Sequence, residues 1–360
     1  MNHNKYASFN LCNKGKIAGK FVRGGGAQSL ILCHSFDFEL IISLDNLLLA
    51  WREFSKGKRT KPDVLFFQSR LMDNLLDLHQ ELKTHTYRHG SYKHFRIADP
   101  KPRDIHKASV RDRLVHHAIY RVLYPYFDRK FIADSYSCRV NKGTHRAMDR
   151  FRDFAFKVSK NHTKTCWVLK CDIKKFFASI DHGTLKNILA KHISDQDTLW
   201  LLSNVIDSFS TEGKLGVGLP LGNLTSQLLV NIYMNEFDQY VKHTLKVKYY
   251  VRYADDFVIL SPDRKYLKQL FITLVQFLHD RLKIVPHPTK CFIKTYSSGL
   301  DFLGWVHFPY TRVLRTSTKR RMLRSLSWYP RRETVNSYRG LLSHGNTRKI
   351  GRALEHLEGL

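Results

Sequence analysis

Residues 248–253 and 257–260 are two short runs rich in aromatic and β-branched side chains, separated by Ala254, Asp255 and Asp256. Two β-favouring arms around so short a break read as a β-hairpin with acids at its tip. A plain turn also favours Asp, because water solvates it there at no cost. The arms argue for a different setting, since they are apolar enough to lie in a buried sheet, where a carboxylate is expensive unless something pairs with it. The run from 166 to 171 is likewise apolar, reads as a buried strand, and ends in Asp172. If strand and hairpin are neighbours in one antiparallel sheet, Asp172, Asp255 and Asp256 meet.

Carboxylates brought together in this way suit phosphoryl transfer from a nucleoside triphosphate. That reaction uses two divalent cations ~3.5–4 Å apart, one beside the attacking 3′ hydroxyl and one beside the leaving pyrophosphate. Two Mg²⁺ ions fit, because magnesium prefers oxygen ligands and keeps water and substrate phosphates in its shell. Asp172 is also placed to cap a helical turn over 173–177.

The charge balance points to a polyanionic partner. Lys and Arg number 60 against 31 acidic residues over 360 positions, a formal charge of +29 that would repel itself without one. Nucleic acid leads over a membrane, because no apolar stretch approaches the ~20 residues needed to span a bilayer. The six cysteines show no CxxC spacing, which indicates reduced thiols, a cytoplasmic compartment and no structural zinc. Residues 1–35 combine basic side chains and Gly24-Gly25-Gly26 with an apolar run too short for a signal peptide, so they read as a flexible basic leader.

Helical periodicity begins at Ser43, a candidate N-cap, with Leu44, Leu47, Leu48 and Trp51 on one face, and recurs from Phe66 through Leu82. A basic extended segment over 95–103 is broken by Pro100 and Pro102, and a helix carrying Val110, Leu114, Ala118, Ile119 and Val122 follows. After the hairpin come a helix with Leu267, Leu270, Phe271, Leu274, Leu278 and Leu282, an extended stretch near Phe292, a turn at 297–299 and a strand over 300–305. No glycine-rich phosphate loop accompanies these elements, which disfavours Rossmann and P-loop folds.

From residue 36 to the C-terminus the chain resembles the group II intron-like bacterial reverse transcriptases. The resemblance is carried by Tyr253-Ala254-Asp255-Asp256 and by Lys170-Cys171-Asp172-Ile173-Lys174-Lys175-Phe176-Phe177-Ala178-Ser179-Ile180-Asp181-His182, which occur in the family's order. It implies an α+β right-hand polymerase: helical fingers over 36–165, an antiparallel-sheet palm over 166–310, and a short helical thumb over 311–360. The metal set it implies is Asp172, Asp255, Asp256 and the Ile173 carbonyl, and the implied partners are a template RNA, a primer with its cDNA, and dNTPs. Phe177 resembles the bulky gate under the deoxyribose, with core packing as the alternative for one of the two phenylalanines. Lys101 and Arg103 sit where fingers residues clamp the triphosphate, or are simply solvated charges. Lys290 resembles the lysine that protonates departing pyrophosphate. The stretch with Arg139 and Asn141 resembles the family's motif along the template, and Leu303, Gly304 and Trp305 resemble its primer grip.

One stretch departs from most relatives. In Gly218-Leu219-Pro220-Leu221-Gly222-Asn223-Leu224-Thr225-Ser226-Gln227, Leu221 stands before Gly222 where Gln is usual, and Gln227 follows Ser226 where Pro is usual. This pattern resembles the reverse transcriptases of diversity-generating retroelements, which copy a template-repeat RNA with errors at adenines and act with a small accessory protein. Leucine cannot hydrogen-bond near the nascent pair as glutamine does, so Leu221 is the candidate for loosened base selection, with Gly222, Ser226 and Gln227 beside the template. Ala178 replaces a common acid, while Asp181 remains. Basic residues crowd the segment after Trp305, including Arg312, Arg315, Lys319 and Arg324, with Trp328 and Tyr329 between others; such a segment holds a duplex or forms the solvated face of a helical bundle. The chain length after Trp305 leaves no expected room for a maturase DNA-binding region or an HNH nuclease. A retron-like or phage-defence reverse transcriptase, and a non-catalytic RNA-binding scaffold, remain the alternative readings.

Overall fold

The structure, a computed structural model, describes residues 37–98, 101–328, 331–348 and 350–351. The basic leader, Pro100 and Tyr329 lie outside the described residues.

The chain opens with four helices, α1 (Phe38–Ile42), α2 (Leu44–Ser55), α3 (Pro62–Ser69) and α4 (Leu71–Lys83). The expected cap is present, with Ser43 Oγ accepting from Asn46 N–H at 3.2 Å. The expected helix from Phe66 to Leu82 is broken at Arg70, where the backbone turns to φ −128°, ψ 44°. The Asn74 side chain donates to the freed Phe67 carbonyl at 2.9 Å, so the break has its own partner. The extended basic segment is part of a hairpin, β1 (Lys93–Ile97) with β2 (Arg103–Lys107), registered Lys93 to Lys107.

Helix α5 (Val110–Lys130) buries Val110, Leu114, Ala118 and Ile119 against α2, and α6 (Thr144–Val158) follows. Then come β3 (Trp167–Cys171), α7 (His182–Ala190), α8 (Gln196–Asp207) and α9 (Leu224–Gln239), which ends in a wider π turn at Tyr240–Thr244. The acidic hairpin is β4 (Tyr250–Tyr253) with β5 (Asp256–Ser261), followed by α10 (Arg264–Leu282) and β6 (Phe292–Thr295). These strands form one antiparallel sheet in the order β4-β5-β3-β6. Strand and hairpin are therefore neighbours, as the apolar runs required. Leu169, Cys171, Phe257 and Ile259 face a large core shared with α9 and α10, while Val168, Val258 and Leu260 face a second core with α6. Burial on both faces explains the near-continuous apolar runs.

The expected single strand over 300–305 is a hairpin, β7 (Leu300–Phe302) and β8 (Trp305–His307), extended by β9 (Arg312–Leu314). Leu303 (φ 52°) and Gly304 (φ 88°) make its turn, a left-handed pair that only a chain reversal requires. Helices α11 (Thr316–Trp328) and α12 (Arg332–Leu342) pack over it around Trp305, Met322 and Leu326. Gly345 lies so close to the Trp305 indole that an added Cβ would collide with it. No helix among the described residues is long and apolar enough to cross a membrane.

Candidate active site

The sheet register builds the acidic site. Cys171 pairs with Phe257 and Tyr253 with Asp256, so Asp172, one residue past the end of β3, comes level with Asp256 at the start of β5. Asp255 occupies the hairpin tip beside Ala254, whose φ of 55° is unusual for a residue with a Cβ. That turn is held from inside by Arg252, a fully buried cation whose Nη1 donates to the Ala254 carbonyl at 3.1 Å. Its guanidinium clasps the equally buried Asp238 of α9 in a two-pronged pair, Nε to Oδ1 at 2.7 Å and Nη2 to Oδ2 at 2.6 Å. Tyr250, Asn231 and Ser135 complete the ring of partners. A bidentate, fully satisfied pair is the form in which buried charge is tolerated.

Each acid of the site has its own environment. Asp172 Oδ1 accepts from Lys290 Nζ at 3.0 Å, and Asp256 Oδ2 meets Lys170 Nζ at 3.2 Å. Lys170 is itself buried and donates to the Asp301 carbonyl at 2.8 Å, joining the acidic hairpin to β7. Burial, and next the facing charge of Asp172, push the Asp255 carboxyl above the usual carboxylate range. Burial pushes Asp256 up to about 7 against the pull of Lys170. Three acids with two raised in this way form a site short of positive charge.

Among the described residues no group of three or more His, Cys, Asp or Glu is already gathered as a metal cage. Lys290 and Lys170 each hold one of the acids, Asp172 and Asp256. Asp256 Oδ1 is nevertheless buried without a hydrogen-bond partner, an arrangement that a divalent cation satisfies. The donor set is all oxygen, and it fits such an ion. Asp172 does not cap a helical turn: its carboxylate is tied to Lys290, and the turn begins only at Phe176. Ile173 is buried and bridges Pro286 through bonds made by its neighbours, Lys174 N–H to Val285 and His287 N–H to the Asp172 carbonyl. Its own carbonyl takes no part in that bridge.

The other expected site residues separate into surface and interior. Phe176 belongs to the core and Phe177 is half-buried beside it, rings 5.7 Å apart, which settles which of the two packs inside. Lys101 and Arg103 are exposed, and Arg103 is near enough to lower the Asp255 carboxyl. The Leu221 carbonyl accepts from His106 N–H at 3.2 Å and Asn223 Nδ2 donates to the His106 carbonyl at 2.9 Å, fastening the departed motif along β2. Gly222 has φ 106°, with Ile105 3.1 Å from where a Cβ would lie. Gln227 is half-buried, whereas Ser226 of α9 is buried. Asn141 is exposed at φ 59°.

Two expected nucleic-acid contacts turn out to be internal. Arg139 is buried and pinned by Asp128 at 2.7 Å and by the carbonyls of Ile132, Ser135 and Asp128, so it shapes its loop from within. Trp305 is only 1% exposed and fills the C-terminal core, leaving the Leu303-Gly304 turn as the surface of that motif.

Arg252, Asp238 and Lys170 were not singled out from the sequence. The signal was present: a cation inside an apolar strand demands a buried anion, and Asp238 lies on the largely buried helix α9.

An antiparallel sheet carrying acids at one hairpin tip, flanked by helices, belongs to the right-hand polymerase class. Residues 97–307 match the family model described as reverse transcriptase (RNA-dependent DNA polymerase). The chain belongs to the reverse transcriptase family. It is 26% identical over 330 residues to the Escherichia coli K12 protein YkfC, covering 78% of this chain and 83% of that one. The group II intron-encoded protein LtrA of Lactococcus lactis subsp. cremoris is 24% identical over 314 residues, 67% of this chain and 50% of the relative, so the chain spans half that protein's length. Among solved structures, a telomerase from Candida albicans in complex with a telomeric RNA fragment aligns with TM-score 0.49 at 14% identity, over 65% of this chain and 46% of that one. Enzymes of this family are RNA-directed DNA polymerases that work with divalent cations.

Proposed function

We propose that the chain copies a template RNA into DNA at Asp172, Asp255 and Asp256, as the error-prone polymerase of a diversity-generating retroelement. The observation that carries the catalytic part is the convergence of the three carboxylates on adjacent strands, with Asp256 Oδ1 buried and unpartnered. Bound Mg²⁺ would lower the barrier to attack of the primer 3′ hydroxyl on the α-phosphate and offset the charge of the leaving pyrophosphate. Asp172 and Asp255, with Asp256 and the Ile173 carbonyl, are the oxygen donors that would hold it. Arg252 and Lys170 keep those donors in place.

In this reading residues 36–165 are fingers, 166–310 palm and 311–360 thumb. Phe177 rises beside the core ring of Phe176 to stack under the deoxyribose and exclude a 2′ hydroxyl. Lys101 and Arg103 hold the triphosphate from the β1–β2 side. Lys290 neutralises Asp172 before substrate arrives, then turns to donate its proton to pyrophosphate. Asn141, Gly222 and Gln227 follow the template, and the Leu303-Gly304 turn borders the primer. A small accessory protein acts with the enzyme.

The error-prone reading rests on the segment from Leu221 to Gln227. Its backbone is fastened to β2, so Leu221 is set in a fixed position with no hydrogen-bonding side-chain group to test the geometry of the nascent pair. The experiment is primer extension on a defined RNA with dNTPs and Mg²⁺, followed by sequencing of the cDNA. Wild type is expected to misincorporate opposite adenines, and Leu221→Gln to lower that frequency about tenfold. Equal error spectra in the two proteins would remove Leu221 from the account while leaving polymerisation standing.

A further inference from the structure

Two cysteines lie beside the acidic site and have no part in the chemistry derived so far. Cys171 ends β3 one residue before Asp172, and Cys291 stands one residue after Lys290 at the approach to β6. The β3–β6 register runs from Trp167 opposite Thr295 to Lys170 opposite Phe292, and one further step sets Cys171 opposite Cys291. Strand alternation places both on one face: Leu169 and Ile293, their cross-paired neighbours, pack in the same core as the two cysteines. Cys291 Sγ reaches across to the carbonyl of Asp172, the residue after Cys171, at 3.7 Å.

Opposed residues of an antiparallel pair have Cα atoms ~4.5–5.5 Å apart, inside the ~4.4–6.8 Å that a disulfide spans. Cys171 is fully buried and Cys291 only half-buried, so a small reagent reaches Cys291 first.

We propose that Cys171 and Cys291 form a reversible thiol-oxidation site, with a hydroperoxide as oxidant, whose closure switches off the neighbouring acidic centre. The Cys291 sulfur attacks one peroxide oxygen, the O–O bond breaks, and water leaves from hydrogen peroxide, giving a sulfenic acid. The Cys171 sulfur then attacks Cys291, the S–O bond breaks, and a second water leaves with the Cys171 proton. Two thiols lose two electrons and two protons, and one peroxide becomes two waters. A dithiol reductant reverses the bond by exchange.

Closing to the ~2.05 Å of a disulfide draws the end of β3 against the approach to β6. Asp172 and Lys290 are the next residues on those two segments, so their 3.0 Å pair must shift. A displacement near 1 Å at reacting groups costs on the order of a hundredfold in rate.

The test uses the full chain, reduced, then treated with hydrogen peroxide and divided. One half is digested without reductant for mass spectrometry, and the other is assayed for RNA-templated primer extension before and after dithiothreitol. The expected result is a Cys171–Cys291 linked peptide pair, two hydrogens lighter than its parts. Extension should fall about tenfold or more and return with dithiothreitol. Cys291→Ser, at the half-buried position, should keep its activity through peroxide, and Cys171→Ala should do the same if it folds. Unlinked peptides in peroxide-treated wild type would overturn the site, and a linked pair with unchanged extension would overturn the switch. The peptide measurement does not depend on polymerase activity, so failure of the site and failure of the catalytic reading remain distinguishable.

Discussion

Two hairpins, β4–β5 and β7–β8, each turn through residues with positive φ, and each is fastened by an Arg–Asp pair, but on opposite terms. In the first, Arg252 and Asp238 are wholly removed from water and matched at both prongs. In the second, the Arg315–Asp301 pair is half-exposed, while the Arg315 backbone N–H donates to the Gly304 carbonyl at 3.2 Å. Breaking a buried pair strands a charge, whereas breaking an exposed one hands both partners to water. The acidic hairpin is thus held by a fully buried charge pair, and the β7–β8 hairpin by a half-exposed one.

The contrast is testable by substitution. Arg252→Met should cost about 3–5 kcal/mol of stability, read by denaturant unfolding, because Asp238 is left charged in the core. Adding Asp238→Leu should recover part of it. A loss below about 1 kcal/mol would mean that the pair is dispensable.

An intermediate effect is expected from Asp256. Its carboxyl is raised from 3.8 to about 7, so in chelator the folded chain keeps a proton that the unfolded chain releases. The stability this gives is present at low pH and is lost as pH rises through about 7. Asp256→Asn removes the dependence. Its melting temperature should therefore gain on wild type by a few degrees between pH 5 and 8, and a gap that narrowed instead would contradict the assignment.

The smallest change belongs to the second hairpin. Arg315→Ala should alter global stability by less than about 1 kcal/mol, since its half-exposed partner can be hydrated. A loss as large as that at Arg252 would erase the distinction between the two regions.

The strands and the convergence of the acids were legible in the sequence, because apolar runs ending in Asp leave few arrangements for a sheet to adopt. The Leu303-Gly304 turn was not, since a two-residue reversal inside a run as apolar as 300–305 carries little polar punctuation. Arg139 and Trp305 are buried for a common reason that motif position does not reveal: it names a residue's neighbourhood, while packing decides which atoms face outward. Arg139 has enough carbonyl partners to be consumed internally, and Trp305 is large enough to become a core. Arg70 broke a periodic pattern that had no Gly or Pro to mark it, because side-chain bonds from Asn74 and Ser69 replaced the missing helix bonds.

The most direct trial of the acidic site is single-nucleotide extension of a primer on RNA with Mg²⁺, comparing wild type with Asp255→Asn. Wild type should incorporate the templated dNTP. Asp255→Asn should bind the duplex equally well, yet incorporate it about a thousandfold more slowly, the loss of several kcal/mol of transition-state stabilisation. Equal rates in the two proteins, or no incorporation by wild type, would contradict the account.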